Sequence, residues 1–124
     1  MFMPRLASVA ALSMAFSASV AAQPSTQTIL LWSYGYSPRP IHLRAGQPVT
    51  LTFVNRSGNS HDFVARSFFA NSRIVAGDVM EGMIDLRGGQ TKSVRLVPSA
   101  GTYKAHCSHF FHRQLGMTDV IIVR

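Results

Sequence analysis

The only cysteine of the chain, Cys107, opens a segment that is rich in ligands for soft metal ions. His112 follows it by five residues and Met117 by ten. A thiolate, an imidazole and a thioether together form a donor set that holds copper in proteins. The segment therefore predicts a copper site, and copper in such a ligand set favours electron transfer as its chemistry.

A mononuclear copper site of this kind needs a second imidazole in addition to His112. We expect it to come from His61, which follows a break at Asn59 and begins a predicted strand. Loops that gather at one end of a β-sandwich can bring such a residue beside Cys107. His42 is the only upstream alternative, and it lies in a predicted strand beside a turn. The predicted metal ligands are His61, Cys107, His112 and, as a weak axial donor, Met117.

Residues 1–22 have the pattern of a secretory signal peptide. Arg5 provides a positive start, residues 6–20 are apolar or small, and residues 20–22 fit a cleavage site before Gln23. We therefore expect export to the periplasm and removal of 1–22, which leaves 23–124 as one domain without a membrane span. An uncleaved membrane anchor is the alternative, although the apolar run is short for a spanning helix.

In an oxidising compartment a single cysteine cannot form a disulfide within its own chain. Cys107 must then be a buried inert thiol, a bridge between two chains, or a metal ligand. The histidines and methionine around it favour the metal.

The chain is basic, with 12 Lys and Arg residues against five Asp and Glu, a net charge of +7. Loss of Arg5 with the leader lowers this to +6. The basic residues are scattered along the sequence, and such a surface can attract an acidic protein partner. Nucleic acid is not expected as a partner, because the chain is exported and has no recognition motif.

The mature sequence alternates short β-prone runs with turn residues, and it has no long helical periodicity. Turn signals lie at 45–48, 88–89 and 98–101. The segment 66–82 has no clear pattern, although 67–71 is compatible with one helical turn. We predict an all-β, Greek-key β-sandwich of seven or eight strands. The predicted strands are 28–34, 41–44, 49–55, 61–65, 83–86, 91–97, 102–107 and 118–123.

These motifs resemble those of the cupredoxins, the blue copper protein family. The C-terminal part of the resemblance is the run 101–107, followed by His112, the pair Gly116-Met117 and a final apolar strand. Upstream, 41–49 and 59–63 are similar to the family's second-strand turn and first-histidine segment. The resemblance implies a β-sandwich that holds one copper ion and carries electrons.

Among the cupredoxins, the ligand spacing is most similar to the mononuclear copper loop of multicopper oxidases. A plastocyanin-like loop would place histidine at position 110, where the chain has Phe110. An azurin-like loop would place methionine at position 116, where the chain has Gly116. The oxidase pattern instead matches Cys107, His112 and Met117.

One position departs from the oxidase pattern. Ser108 stands where that family has the second histidine of a His-Cys-His triplet, which ligates the separate copper cluster that reduces oxygen. No His-x-His pair elsewhere in the sequence could supply the other cluster ligands. We therefore expect a copper protein that is not an enzyme.

Three functions remain open from the sequence. The first is a monomeric electron carrier for redox proteins, with electrons passing through the edge of His112 beside Phe110, Phe111 and Leu115, unless those residues only pack the loop. The second is copper resistance, sequestration or delivery, with a copper-trafficking protein as the partner. The third is a structural sandwich without metal.

Five further residues could influence such a site. His106 precedes the cysteine on its strand, so its side chain is expected on the opposite face. His109 is expected at the loop surface, or as a group that receives copper from outside. Met80 and Met83 are expected to pack, with a transient Cu(I) contact as the alternative. The Asn59 side chain or a nearby backbone N–H is a candidate donor to the cysteine sulfur.

Overall fold

The computed structural model describes residues 1–17, 25–109, 112 and 114–124. Residues 1–17 are exposed and contain neither helix nor strand. The predicted cleavage site at 20–22 lies outside the described residues, as do Phe110 and Phe111. Within the described part of the chain, no helix has the length and apolar character needed to cross a membrane.

The described residues form ten strands and one short helix. The helix α1 contains Arg66–Ala70 and lies close to the predicted helical turn. In chain order the strands are β1 (Ser25–Trp32), β2 (Gly35–Ser37), β3 (Ile41–Leu43), β4 (Val49–Asn55), β5 (His61–Val64), β6 (Arg73–Ala76), β7 (Met83–Leu86), β8 (Thr91–Val97), β9 (Gly101–His106) and β10 (Thr118–Val123).

The strands form two five-stranded sheets, which confirms the predicted β-sandwich. The first sheet has the order β2-β1-β4-β8-β6 and the second has the order β3-β10-β9-β5-β7. β1 pairs with β4 in parallel, and β3 pairs with β10 in parallel. The remaining pairs are antiparallel. The second sheet carries both segments that contain the predicted ligands.

The described residues contain ten strands, more than the seven or eight expected from the sequence. Part of the difference is β6, which lies in the segment without a clear pattern. All four of its residues are exposed, so its sequence lacks the alternation that marks a half-buried strand. The predicted strand 28–34 also differs, because β1 ends at Trp32 and a turn then leads into the separate strand β2.

The core between the sheets depends on strand alternation and on a group of buried aromatic rings. Along β4 every second residue is buried. Phe63 of the second sheet lies 5.0 Å from Phe53 and 5.2 Å from Tyr36, both in the first sheet, measured between ring centroids. Burial of a phenylalanine side chain contributes about 1.5–3 kcal/mol. Since Phe63 lies two residues after His61, this contact also fixes the strand that carries the predicted ligand.

A buried amide joins the two sheets near that strand. Asn55, at the end of β4, is 1% exposed. Its Nδ2 donates to the carbonyl oxygens of Asn59 at 2.7 Å, Leu86 at 3.2 Å and Arg87 at 3.0 Å. Its Oδ1 accepts from the backbone N–H and the hydroxyl of Ser57. Asn55 therefore holds the loop that leads into His61 against the end of β7.

A glycine, Gly88, lets the turn that follows β7 approach the same loop closely. A Cβ atom at Gly88 would lie 2.7 Å from the carbonyl carbon and oxygen of Gly58. Such a separation is shorter than Cβ atoms tolerate, so only glycine fits at position 88 without displacing the backbone.

We predict that Asn55→Ala lowers the free energy of unfolding by about 2–4 kcal/mol, because it removes a buried side chain with five hydrogen bonds, including the buried one to the Leu86 carbonyl oxygen. Urea unfolding of the metal-free protein measures the change. The matched control is Thr52→Ala on the same strand, whose hydroxyl bonds to the exposed Ser93 hydroxyl at 3.0 Å. It should cost less than about 1 kcal/mol. Equal losses in the two variants would contradict the role given to Asn55.

Candidate metal centre

His61 is the first residue of β5 and is completely buried. In the register of the second sheet it lies opposite Leu86 of β7. The preceding loop is held by Asn55, so the start of this strand has a fixed position. The Nε2 atom of His61 is buried without a hydrogen-bond partner in the described structure, while Nδ1 faces the other candidate ligands.

Cys107 and Met117 are brought together by the pairing of β9 with β10. His106 lies opposite Thr118 in this antiparallel pair, so the residues just beyond them, Cys107 and Met117, are neighbours as well. The Cys107 N–H donates to the Met117 carbonyl oxygen at 3.1 Å. Both side chains are buried, with 1% and 0% exposed. The loop that contains His112 starts and ends at this hydrogen bond.

The donor atoms of three predicted ligands converge. His61 Nδ1 lies 3.1 Å from His112 Nδ1. Cys107 Sγ lies 3.4 Å from His112 Nδ1 and 4.0 Å from His61 Nδ1. Imidazole and thiolate ligands that share one metal ion at about 2.0–2.3 Å lie about 3–4 Å from each other. The group therefore fits a single metal ion, and Met117 is buried beside it.

Burial shifts the pKa values of two of these residues. It lowers the pKa of His61, an effect to which the neighbouring His112 and His109 add. Burial also raises the pKa of the Cys107 thiol. His61 is therefore held in the neutral form that binds metals, whereas Cys107 must release its proton when a metal binds.

A second layer of hydrogen bonds links the residues next to the ligands. The buried side chain of Asp62 accepts a hydrogen bond from the Ser108 N–H at 2.7 Å and another from the Ser108 hydroxyl. The Tyr36 hydroxyl donates to the Asp62 carbonyl oxygen, and burial raises the pKa of this phenol. Asp62 follows His61 and Ser108 follows Cys107, so these bonds tie the two ligand segments to each other.

A role for Asp62 was not predicted from the sequence, and Ser108 was interpreted only as a missing ligand. The signal was present, since both residues are direct neighbours of predicted ligands. Hydrogen bonds from such neighbours commonly orient the ligands of a metal site.

Two of the remaining histidines lie outside the group of donor atoms. His42 is exposed on β3. His106 is half-buried and lines a surface depression with Val64 and Lys104. His109 is closer, with Nε2 lying 3.9 Å from Asp62 Oδ2 and about a third of its side chain exposed. His109, Asp62 and Asp85 form a second group of donor atoms, all within 4.8 Å of one another.

The other candidate residues have different surroundings. Met80 is 72% exposed and pairs through its backbone with Met83, which is half-buried. The backbone N–H of Asn59 bonds to the Ser57 hydroxyl, and its carbonyl oxygen accepts from Asn55 and Ser57. Leu115, near His112, is 57% exposed.

A family model described as a cupredoxin-like domain matches residues 5–123. No curated protein matches the sequence.

Solved structures with the same fold include two auracyanins. Auracyanin B is 21% identical, with a TM-score of 0.61, over 87% of this chain and 95% of that protein. Auracyanin A, described as a "blue" copper protein from the photosynthetic bacterium Chloroflexus aurantiacus, is 22% identical, with a TM-score of 0.57. That match covers 82% of this chain and 100% of auracyanin A.

A multicopper oxidase from Campylobacter jejuni, described as a metallo-oxidase, is also similar in structure. It is 12% identical, with a TM-score of 0.64, and the match covers 89% of this chain but 32% of the oxidase. At these identities the likeness of all three proteins establishes the fold.

Proposed function

Because the chain belongs to the cupredoxin-like family, we propose that it binds one copper ion through His61, Cys107, His112 and Met117 and carries electrons between redox proteins. The observation that supports this most directly is the convergence of His61 Nδ1, His112 Nδ1 and Cys107 Sγ. Two imidazoles and a thiolate, with a methionine as a weak fourth donor, form the ligand set of electron-transfer copper sites.

The residues around the site favour transfer of electrons over catalysis. The bound copper would supply reversible one-electron chemistry. Burial of His61, Cys107 and Met117 limits their movement, and the bonds between Asp62 and Ser108 fix the two ligand segments. A rigid site of this kind needs little rearrangement when its charge changes. Four protein ligands also leave no open position for a substrate, which argues against an enzyme.

The same proposal includes export. Removal of residues 1–22 would release the domain 23–124 as a monomer in the periplasm, where a single cysteine is protected from oxidation if copper binds it. The net charge of +6 for this domain suits an acidic redox partner, since opposite charges speed the encounter of two proteins.

The second candidate function is copper sequestration or delivery to a trafficking protein. The observation that favours it is the group of Asp62, Asp85 and His109, whose donor atoms lie within 4.8 Å of one another close to the first site. The exposed sulfur side chain of Met80 is a further soft group at the surface. Rapid exchange of copper would separate this function from electron transfer.

We predict that Cys107→Ser abolishes the intense visible absorption of the Cu(II)-loaded protein, since that band requires a thiolate bound to copper. Absorption spectra recorded during titration with Cu(II) measure the effect. His42→Ala, at an exposed histidine of β3, is the matched control and should retain the band. Persistence of the band in the serine variant would show that the ligand assignment is wrong.

We predict that Met117→Leu retains copper and raises the reduction potential, because a weak axial thioether adjusts the potential of such a site without holding the metal. Protein-film voltammetry and copper analysis of the same sample provide the two readouts. The control Met80→Leu tests whether loss of any methionine raises the reduction potential. The potential of this variant should equal that of the wild type. Complete loss of copper from Met117→Leu would mean that Met117 is a principal ligand.

We predict that the copper-loaded protein accepts electrons from a reduced acidic carrier at a rate that falls as salt is added. Charges at the surface are screened over about 8 Å at physiological ionic strength, so steering by opposite charge weakens. Stopped-flow spectroscopy measures the rate. Sustained oxygen consumption with phenols or Cu(I) would instead support an oxidase. Fast copper exchange with a chelator, without salt-dependent electron transfer, would support delivery.

A further inference from the structure

His112 is the least enclosed of the four predicted ligands. The side chains of His61, Cys107 and Met117 are at most 1% exposed, whereas His112 is partly exposed. Its backbone is fixed at both sides, because its N–H donates to His109 and its carbonyl oxygen accepts from Met117. These bonds do not set the rotation of the ring. The ring orientation depends on its Nδ1 contacts with His61 and Cys107 and on neighbouring side chains that are not ligands.

Besides the His61 ring, whose centroid lies 4.7 Å from that of His112, the first neighbour is Tyr34, in the turn between β1 and β2 of the first sheet. Its ring centroid lies 4.9 Å from that of His112, with an angle of 65° between the ring planes. Edge-to-face contacts of aromatic rings are favourable at about 4.5–7 Å. Tyr34 is 44% exposed, so burial in the core does not explain its position.

The second neighbour is His109, which stacks on His112 with ring centroids 5.5 Å apart and an angle of 20° between the planes. The hydrogen bond from the His112 N–H to the His109 carbonyl oxygen, 3.1 Å long, holds the two residues close to each other. The other end of the His109 ring faces the Asp62 carboxylate. His109 thus lies between the buried carboxylate and the partly exposed ligand.

We infer that Tyr34 and His109 are positioning residues that hold the His112 imidazole with Nδ1 aimed at His61 and Cys107. The inference rests on the proposed copper function and assigns a role to two residues that are not ligands. Donor atoms of a functional site must be held within about 0.5 Å of their working positions. A contact between two aromatic rings stabilises one orientation by about two- to tenfold. Loss of either contact should therefore allow the His112 imidazole to adopt other orientations.

The test pairs truncations with substitutions that keep a ring. Tyr34→Ala and His109→Ala remove the contact, whereas Tyr34→Phe and His109→Phe retain an aromatic ring at the same position. Trp32→Ala is the matched control, because Trp32 is a similarly exposed aromatic residue that flanks the same turn, with 40% of its side chain exposed, and its ring lies over Gly35.

The first readout uses the metal-free full chain. Nuclear magnetic resonance of the His112 imidazole should show one fixed ring orientation in the wild type, the Phe variants and Trp32→Ala. The two Ala variants should show averaging over several orientations. Wild-type ring signals in both Ala variants would overturn the inference, whether or not the protein binds copper.

The second readout uses the copper-loaded protein. Each Ala variant should raise the dissociation constant for copper about two- to tenfold and shift the thiolate-to-copper band. The Phe variants should restore wild-type values. An unchanged band and affinity in Tyr34→Ala and His109→Ala would overturn the inference. If the wild type binds no copper, the proposed function fails, and the ring signals of the metal-free protein still decide the role of Tyr34 and His109.

Discussion

The candidate site depends most on the hydrogen bonds made by the buried carboxylate of Asp62. An ionised group removed from water is costly unless hydrogen bonds replace its hydration. Ser108 supplies two such bonds, from the residue that follows the candidate cysteine. Hydrogen bonds to a charged acceptor are stronger than those between neutral groups, so β5 and the end of β9 are joined firmly. The Tyr36 hydroxyl adds a link to the first sheet.

This arrangement changes the meaning of the serine at position 108. In terms of an oxidase pattern, Ser108 is a lost ligand. In the folded chain it is a hydrogen-bond donor that anchors the loop between Cys107 and Met117. Such a residue suits a protein with one metal centre, because the position supports that centre and does not serve a second one. Burial of the Cys107 thiol also suits a metal ligand. It raises the pKa of the thiol, which keeps the metal-free sulfur protonated and less reactive.

Much of the architecture could be predicted from the sequence because its signals are local. Alternation along β4 and the turn residues between strands indicate a sandwich, and the β-sandwich is confirmed. β6 was missed because its residues are all exposed. The links from Asp62 to Ser108 and from Tyr34 to His112 were missed for another reason. They join residues that are 46 and 78 positions apart, and only the pairing of strands brings such residues together.

The close packing of Gly88 against Gly58 has a consequence for how this domain can vary. The two turns meet at the backbone of Gly58, so the turn after β7 cannot gain a side chain at position 88 without moving the other turn, whereas an added Cβ at Gly58 would meet nothing within 4 Å. One of them leads directly into His61. Sequence change at Gly88 in the turn after β7 is therefore constrained by the loop that positions a predicted ligand. Turns such as that at Gly46, where an added Cβ would meet nothing within 4 Å, are free of this steric constraint, although its positive φ still favours glycine. Among related chains, insertions should accumulate at the end of the sandwich away from the candidate metal centre.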